Sequence, residues 1–349
     1  MPFHHAGNFG IGLGVLCRMR HFRVKAASIL KKTICILHFL NASTYSSFMF
    51  SIMTMHAAEA RMIQQLQTAL GLWLQIPMQI VSFFASEAFV IAIVPAIYWC
   101  YHRKKGAELG LLILGSAFIN LWIKQLLAWP RPFQLIPSIG LAHESTYGMP
   151  SGHSQLSIVF WAFIVQFLPK KWRVPVLIAV PLIIGFSRIY LGVHFITDVL
   201  GGYLVGILFF LFFKAIAPHI ERMLHNSEWR IRVVLAAALS FVMNLLLPND
   251  TMISGAFLGA SVGFAFAARN VAFSQSDALG TKALRYAAGL ASTGIMYLAL
   301  KLAAGPIDAI SAHSQEQLIR FIRYTIIGGW ISLGAPFLFL KLKLARQGN

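Results

Sequence analysis

The sequence predicts an all-α, polytopic transmembrane helical bundle, and three observations carry that reading. Hydrophobic residues fill 58% of the 349 positions and charged residues only 11%, too little charge to cover a soluble domain of this size. Apolar runs of about 18 residues or more recur along the chain, the length that crosses a bilayer core. Lys and Arg gather between those runs, and chiefly on one side of them.

Taken in chain order, the first apolar stretch is 33–53, weakened by Asn41, Ser43, Thr44, Ser46 and Ser47. It has three open readings. Lys31-Lys32, the apolar stretch and Ala58-Glu59-Ala60 resemble a signal peptide with its cleavage site. The same stretch could remain as a signal anchor, or translation could begin at Met53 or Met55. Residues 60–77 follow, with an apolar face at helical spacing and Gln on the other, the pattern of an interfacial helix. Nine spans are then predicted, at 78–100, 106–127, 153–169, 174–193, 197–217, 231–248, 252–269, 284–302 and 321–341. Gly202-x3-Gly206 and Gly255-x3-Gly259-x3-Gly263 predict close helix packing or dimerisation.

One side of these spans holds 22 of the 29 cations, among them Lys31, Lys32, Arg103–Lys105, Lys170, Lys171, Arg173, Arg230, Arg232, Lys341 and Lys343. The positive-inside rule makes that side cytoplasmic. The opposite helix ends, near 127, 150 and 193, then face the outside, or the periplasm of a bacterium. The formal net charge of +18 follows from this loop asymmetry and suits an anionic lipid. Nucleic acid is excluded as a partner, because no soluble basic surface is present. Cys17, Cys35 and Cys100 are too far apart for a disulfide framework or a Cys-based metal site.

Three runs at the outer ends carry the chemistry. The first is Lys124-x6-Arg131-Pro132, where Pro130 and Pro132 stiffen the chain around Arg131. Lys124 read alone is a snorkelling end-of-span lysine. The second is Pro150-Ser151-Gly152-His153. Ser151 is a predicted N-cap, Gly152 permits close backbone approach, and the helix start offers N–H groups to an anion beside His153. The third is Ser187-Arg188-x5-His194-x3-Asp198. If helical, His194 and Asp198 share one face, and the carboxylate fixes the imidazole tautomer and leaves the other nitrogen nucleophilic. A lone pair of this kind is more often structural. Near a membrane boundary, with Arg188 beside it, it becomes a functional candidate. The residues alone therefore point to a phosphate site with a His/Asp pair.

All eleven fixed positions of these runs match the three-part signature of the type 2 phosphatidic acid phosphatase superfamily, which the chain resembles over a helical core from about 78 to 217. Tyr147-Gly-Met-Pro-Ser-Gly-His153 is similar to the branch that includes sphingosine 1-phosphate and dolichyl diphosphate phosphatases. The chain is therefore read in three parts: a basic N-terminus with the signal-like segment or start-site artefact over 1–60, a phosphatase core over 61–220 that carries the resemblance, and additional C-terminal transmembrane helices over 221–349, which the shared core does not explain. The resemblance implies a metal-independent enzyme without a cofactor that works through a phosphohistidine on a lipid phosphate. His194 is then the nucleophile, Asp198 its orienting partner and His153 the general acid and base. Lys124, Arg131, Ser151, Gly152 and Arg188 bind the phosphate. The implied location is the cytoplasmic (inner) membrane of a bacterium.

Rival readings stand beside this one. A lipid phosphotransferase would use the same site with another acceptor. A transporter or lipid-binding protein would keep the motifs for binding alone. A metal hydrolase built on His153, His194 and Asp198 is disfavoured, because three nearby cations repel a divalent ion. His143 and Glu144 in the preceding loop either shape substrate choice or are solvated loop residues. The lipid itself and the oligomeric state are not encoded in these patterns.

Overall fold

A computed structural model describes residues 42–225, 227–270, 278–308 and 313–345. Cys17, Cys35, the first basic cluster and the 33–41 part of the 33–53 stretch lie outside them. Helices make up nearly all of the described chain, and no strand occurs among the described residues. Among the described residues seven helical stretches are long and apolar enough to cross a membrane, and the protein is an integral membrane protein built as a polytopic helical bundle.

The helices are α1 (Ala42–Leu70), α2 (Gln75–Phe83), α3 (Glu87–Ala96), α4 (Arg103–Leu127), α5 (Pro132–Leu135), α6 (Gly152–Ile164) and α7 (Lys170–Tyr190). They continue as α8 (Ile196–His225), α9 (Trp229–Leu246), α10 (Met252–Asn270), α11 (Leu279–Asp308), α12 (His313–Gly329) and α13 (Ala335–Lys341). The Ala58-Glu59-Ala60 sequence lies inside the continuous helix α1, with Ala60 fully buried. The interfacial helix expected over 60–77 ends earlier, at a turn where Gly71 takes φ 77°.

Three expected spans differ in detail. The 78–100 span is two helices, because Ser86 caps a new start and its Oγ accepts from Phe89 N at 3.2 Å. The 153–169 span shortens to 152–164, followed by a tight turn over 165–167. Leu168 is extended (φ −87°, ψ 155°) before Pro169, as the proline ring requires. The 252–269 stretch forms a helix whose apolar part, Met252–Ala267, is short for a span.

The short helix α6 is central. It packs against α4, α7 and α8, and it buries Ser154, Gln155 and Ser157 among them. Gln155 Nε2 donates to Ser116 O (2.8 Å) and Oγ (2.9 Å), and Asn120 Nδ2 donates to Gln155 Oε1 (2.9 Å). These bonds satisfy polar groups that would otherwise be costly in an apolar interior, and they tie α4 to α6. Gly202 on α8 sits so close to α6 that a Cβ there would lie 2.6 Å from Ser151 O. This approach seats the start of α6 beside the start of α8.

The C-terminal helices form a second packed group with α10 at its centre, between α9 and α12 and touching α4. The Gly255, Gly259 and Gly263 seam faces α12 and the turn after it. Arg285, fully buried, donates to Trp99 O (3.0 Å) and Leu344 O (2.7 and 3.0 Å), which joins this group to the end of α3. Outward-facing Leu200, Leu204, Leu208, Leu211 and Phe212 on α8 are exposed, the surface a helix presents to hydrocarbon rather than to water.

Candidate active site

The three motifs converge at one end of the bundle. Lys124 ends α4, Arg131 caps α5, Ser151 caps α6, Arg188 ends α7, and His194 and Asp198 flank the start of α8. Ser116, Asn120 and Lys124 recur every fourth residue on α4, and all are buried, so one polar stripe leads into the site.

The three cations are buried; backbone carbonyls hold Lys124 and most of Arg131, and side chains hold Arg188. Lys124 Nζ donates to Gly148 O (3.0 Å) and to Tyr147 O. Arg131 is fixed by Nε to Thr146 O (2.6 Å), Nη1 to Val193 O (2.8 Å) and Nη2 to Thr146 Oγ1 (3.0 Å). Arg188 Nη1 donates to Ser82 Oγ at 2.5 Å, while Nη2 pairs with Glu144 Oε1. Glu144 Oε2 also lies 4.0 Å from Arg131 Nη2. Glu144 is therefore no solvated loop residue. It is the carboxylate that the arginines already hold. His143 instead stacks on Phe133, with ring centroids 5.4 Å apart.

The expectation that His194 and Asp198 pair across one helical face needs correction. His194 precedes α8, in a turn made possible by Gly192 at φ 68°. A Cβ at Gly192 would lie 1.9 Å from Ile139 O. Asp198, in the first turn of α8, reaches back instead. Its Oδ2 accepts from Phe195 N (3.0 Å) and faces His194 Nδ1 at 3.3 Å. The other ring nitrogen, Nε2, lies 3.2 Å from Arg131 Nη1. A guanidinium nitrogen can only donate, so Nε2 accepts and Nδ1 carries the proton toward Asp198. Burial holds the His194 imidazole well below the usual histidine range, and Arg131, Lys124 and Arg188 add to that shift. The ring is neutral, with its lone pair turned toward the cations.

Ser151 Oγ accepts from Ser154 N (3.4 Å) and Ser154 Oγ (2.9 Å), and Ser151 N donates to Asp198 O (2.9 Å). Gly152 follows at the helix start, where a Cβ would meet Asn120 Oδ1 at 3.2 Å. His153 makes no hydrogen bond among the described residues, and it lies within electrostatic reach of Arg188, Arg131, Lys124 and His194. Two buried atoms in the cluster, Arg188 Nε and Asp198 Oδ1, have no hydrogen-bond partner among the described residues. No group of three or more His, Cys, Asp or Glu side chains suited to a metal occurs among the described residues.

Residues 105–222 match the PAP2 superfamily. Phosphatidylglycerophosphatase B of Bacillus subtilis (strain 168) is 33% identical over 163 residues, which cover 43% of this chain and 78% of that protein. The chain belongs to the PAP2 superfamily. Sphingosine-1-phosphate phosphatase 1 of Rattus norvegicus is 24% identical over 167 residues, 46% of this chain but only 38% of that protein. A crystal structure of a transmembrane PAP2-type phosphatidylglycerolphosphate phosphatase from Bacillus subtilis has a TM-score of 0.42 and 24% identity, and it covers 60% of this chain and 98% of that one. Residues 251–347 match the transmembrane extension of PAP2 superfamily phosphatases. The helices from α10 onward, which the sequence left outside the shared core, thus also carry a PAP2 match, while α9 lies between the two matches.

Sequence reasoning missed Asn120, Gln155, Thr146 and Glu59. Asn120 and Gln155 were detectable as amides within apolar spans. Thr146 and Glu59 carry no local signal.

Proposed function

We propose that this protein is a lipid phosphate phosphatase in which His194 attacks phosphorus. The observation that carries the reading is the orientation of the His194 ring. Nδ1–H is tied to Asp198, and the Nε2 lone pair faces the Arg131 guanidinium. A nucleophile aimed into a cation cluster meets an anionic electrophile there.

In the first half-reaction Nε2 forms a bond to phosphorus as the ester P–O bond breaks. His153 gives its proton to the leaving oxygen. In the second half, His153 takes a proton from water, the water oxygen bonds phosphorus, and the N–P bond breaks to release inorganic phosphate. Asp198 stabilises the positive charge that the His194 ring gains. Lys124, Arg131 and Arg188 hold the phosphoryl oxygens, with Ser151 and the N–H groups at the start of α6. Arg188 Nε is a buried donor with no protein acceptor and suits a phosphoryl oxygen. Glu144 leaves Arg188 when phosphate arrives, because both anions need the same guanidinium. The cations meet the charge requirement of this route without a metal.

The placement of cations between spans supports a site on the outer side of a bacterial cytoplasmic membrane. A site at the helix ends suits an amphiphile whose head group lies at the interface. In this reading 61–220 is the phosphatase core and 221–349 the additional transmembrane part.

The test is release of inorganic phosphate from a panel of lipid phosphates in detergent with EDTA, wild type beside His194→Ala. The proposal requires release by the wild type alone. Phosphate appearing only on an added acceptor would replace it with the phosphotransferase, and turnover lost to EDTA would remove the metal-free route.

A further inference from the structure

Helix α1 carries none of the three motifs, yet its second half is built against the turn that holds His194. The His56 ring stacks on Phe195 with centroids 4.2 Å apart and planes 4° from parallel, and meets Trp129 edge-on at 5.1 Å. Glu59 Oε1 accepts from Thr197 N at 3.0 Å, and Oε2 accepts from Thr197 Oγ1 at 3.0 Å. Ala60 and Ile63 pack with Ile139 and Phe195. Gln67 Nε2 donates to Ile139 O (2.9 Å) and Tyr190 O (2.7 Å), and Tyr190 Oη donates to Gly71 O (2.5 Å). Both ends of the 190–197 turn are therefore tied to one helix.

The bonds at Thr197 have a definite reason. Helix α8 begins at Ile196, so Phe195 stands where a Ser, Thr, Asp or Asn would normally accept a first-turn N–H. Phe195 has no acceptor. Asp198 serves the Phe195 N–H, and Glu59, from another helix, serves the N–H of Thr197. A carboxylate is also the favoured charge at a helix N-terminus. Burial pushes the Glu59 carboxyl up and the two Thr197 bonds pull it down.

We propose that Glu59 is a positioning residue for phosphoryl transfer. Its carboxylate clamps Thr197 and so fixes the first turn of α8, which keeps Asp198 on His194 Nδ1 and His194 Nε2 aimed at the phosphate. Glu59 touches neither substrate nor His194, and it acts through Thr197 and Asp198. The inference rests on the catalytic reading of the site given above, and it gives α1 a function that no motif encodes.

The test uses the full chain in detergent, with Glu59→Ala and Glu59→Gln. Three readouts are taken: kcat and KM for lipid phosphate, inhibition by orthovanadate, and amide hydrogen exchange by peptide. Misplacing a reacting group by about 1 Å costs on the order of 100-fold. Glu59→Ala should therefore lose roughly 10–100-fold in kcat, with KM little changed and inhibition by orthovanadate, which mimics the transition state at His194, weakened in parallel. Exchange should rise across 192–199 and stay protected across 146–156. Glu59→Gln keeps an acceptor for the Thr197 N–H and should recover most of both signals. Unchanged exchange at 192–199, or a kcat near wild type in Glu59→Ala, would overturn the proposal. So would a rise in exchange throughout the molecule with KM and kcat failing together, which is the mark of a merely structural residue. Exchange is read without turnover. Local opening in a protein whose wild type releases no phosphate would therefore sink the phosphatase reading and leave the clamp. Should Glu59→Ala not fold, Thr197→Val removes one of the two bonds and must give the same pattern at smaller size.

Discussion

Replacing Asp198 by Asn removes a charge and little else. Asp198 Oδ2 accepts both Phe195 N–H and His194 Nδ1–H, and an amide oxygen in the same place can accept both. The turn and the tautomer should therefore survive, and what disappears is the negative charge 3.3 Å from the ring. Two full charges at that distance attract by roughly 5 kcal/mol at an effective dielectric of about 20. The ring carries only part of a positive charge in the transition state. About half of that attraction, ~2–3 kcal/mol, is then lost, or ~100-fold in kcat. KM should hold, because the contacts to the phosphate cradle are untouched. The assay is steady-state phosphate release from a short-chain lipid phosphate, with thermal unfolding to confirm the fold. A kcat within about threefold of wild type would refute the electrostatic role of Asp198. A loss confined to KM would refute the geometry.

Three other outcomes follow from the same contacts. Glu144→Gln removes the carboxylate that competes for Arg188, so inorganic phosphate should inhibit several-fold more tightly in a competition assay. His56 is buried with neither ring nitrogen hydrogen-bonded among the described residues, and burial pushes it down to about 4. The unfolded chain, at an ordinary ~6.5, then binds the proton first. The stability this gives is complete above pH ~6.5, falls as pH drops toward 4, and amounts to up to ~3 kcal/mol. His56→Phe keeps the stack on Phe195 and should flatten that acid loss in thermal melts between pH 4 and 7. Gly192→Ala places a methyl 1.9 Å from Ile139 O at φ 68°. It should cost ~3 kcal/mol or more and abolish activity, read by unfolding and turnover together.

Much of this architecture is legible in the sequence, because hydropathy and proline placement are local signals. The span ends at Lys124 and Arg188 follow from apolar run length. The shortening of α6 is also written locally, in Leu168-Pro169, and the break before α3 in Ser86-Glu87. The candidate site is legible for a different reason. Lys124, Arg131, Ser151, His153, Arg188, His194 and Asp198 sit at the same ends of successive helices, so an up-and-down bundle brings them together without further information. His194 and Asp198 meet, but not across a helical face. The turn at Gly192 and the backward reach of Asp198 depend on Ile139 and Phe195, which spacing alone does not relate. The role of Glu59 and the pairing of Glu144 with Arg188 were hidden for a stronger form of that reason. Their partners, Thr197 and Arg188, lie 138 and 44 residues away, and no periodicity connects them.

The central claim is that His194 Nε2 becomes bonded to phosphorus. The direct measurement is to quench the enzyme within its first turnover on a lipid phosphate carrying labelled phosphorus, in base, where phosphohistidine persists, and to locate the label by peptide. The account predicts one labelled peptide containing His194, labile to acid and absent from His194→Ala. Wild-type turnover with no labelled peptide, or label on any other residue, would contradict it.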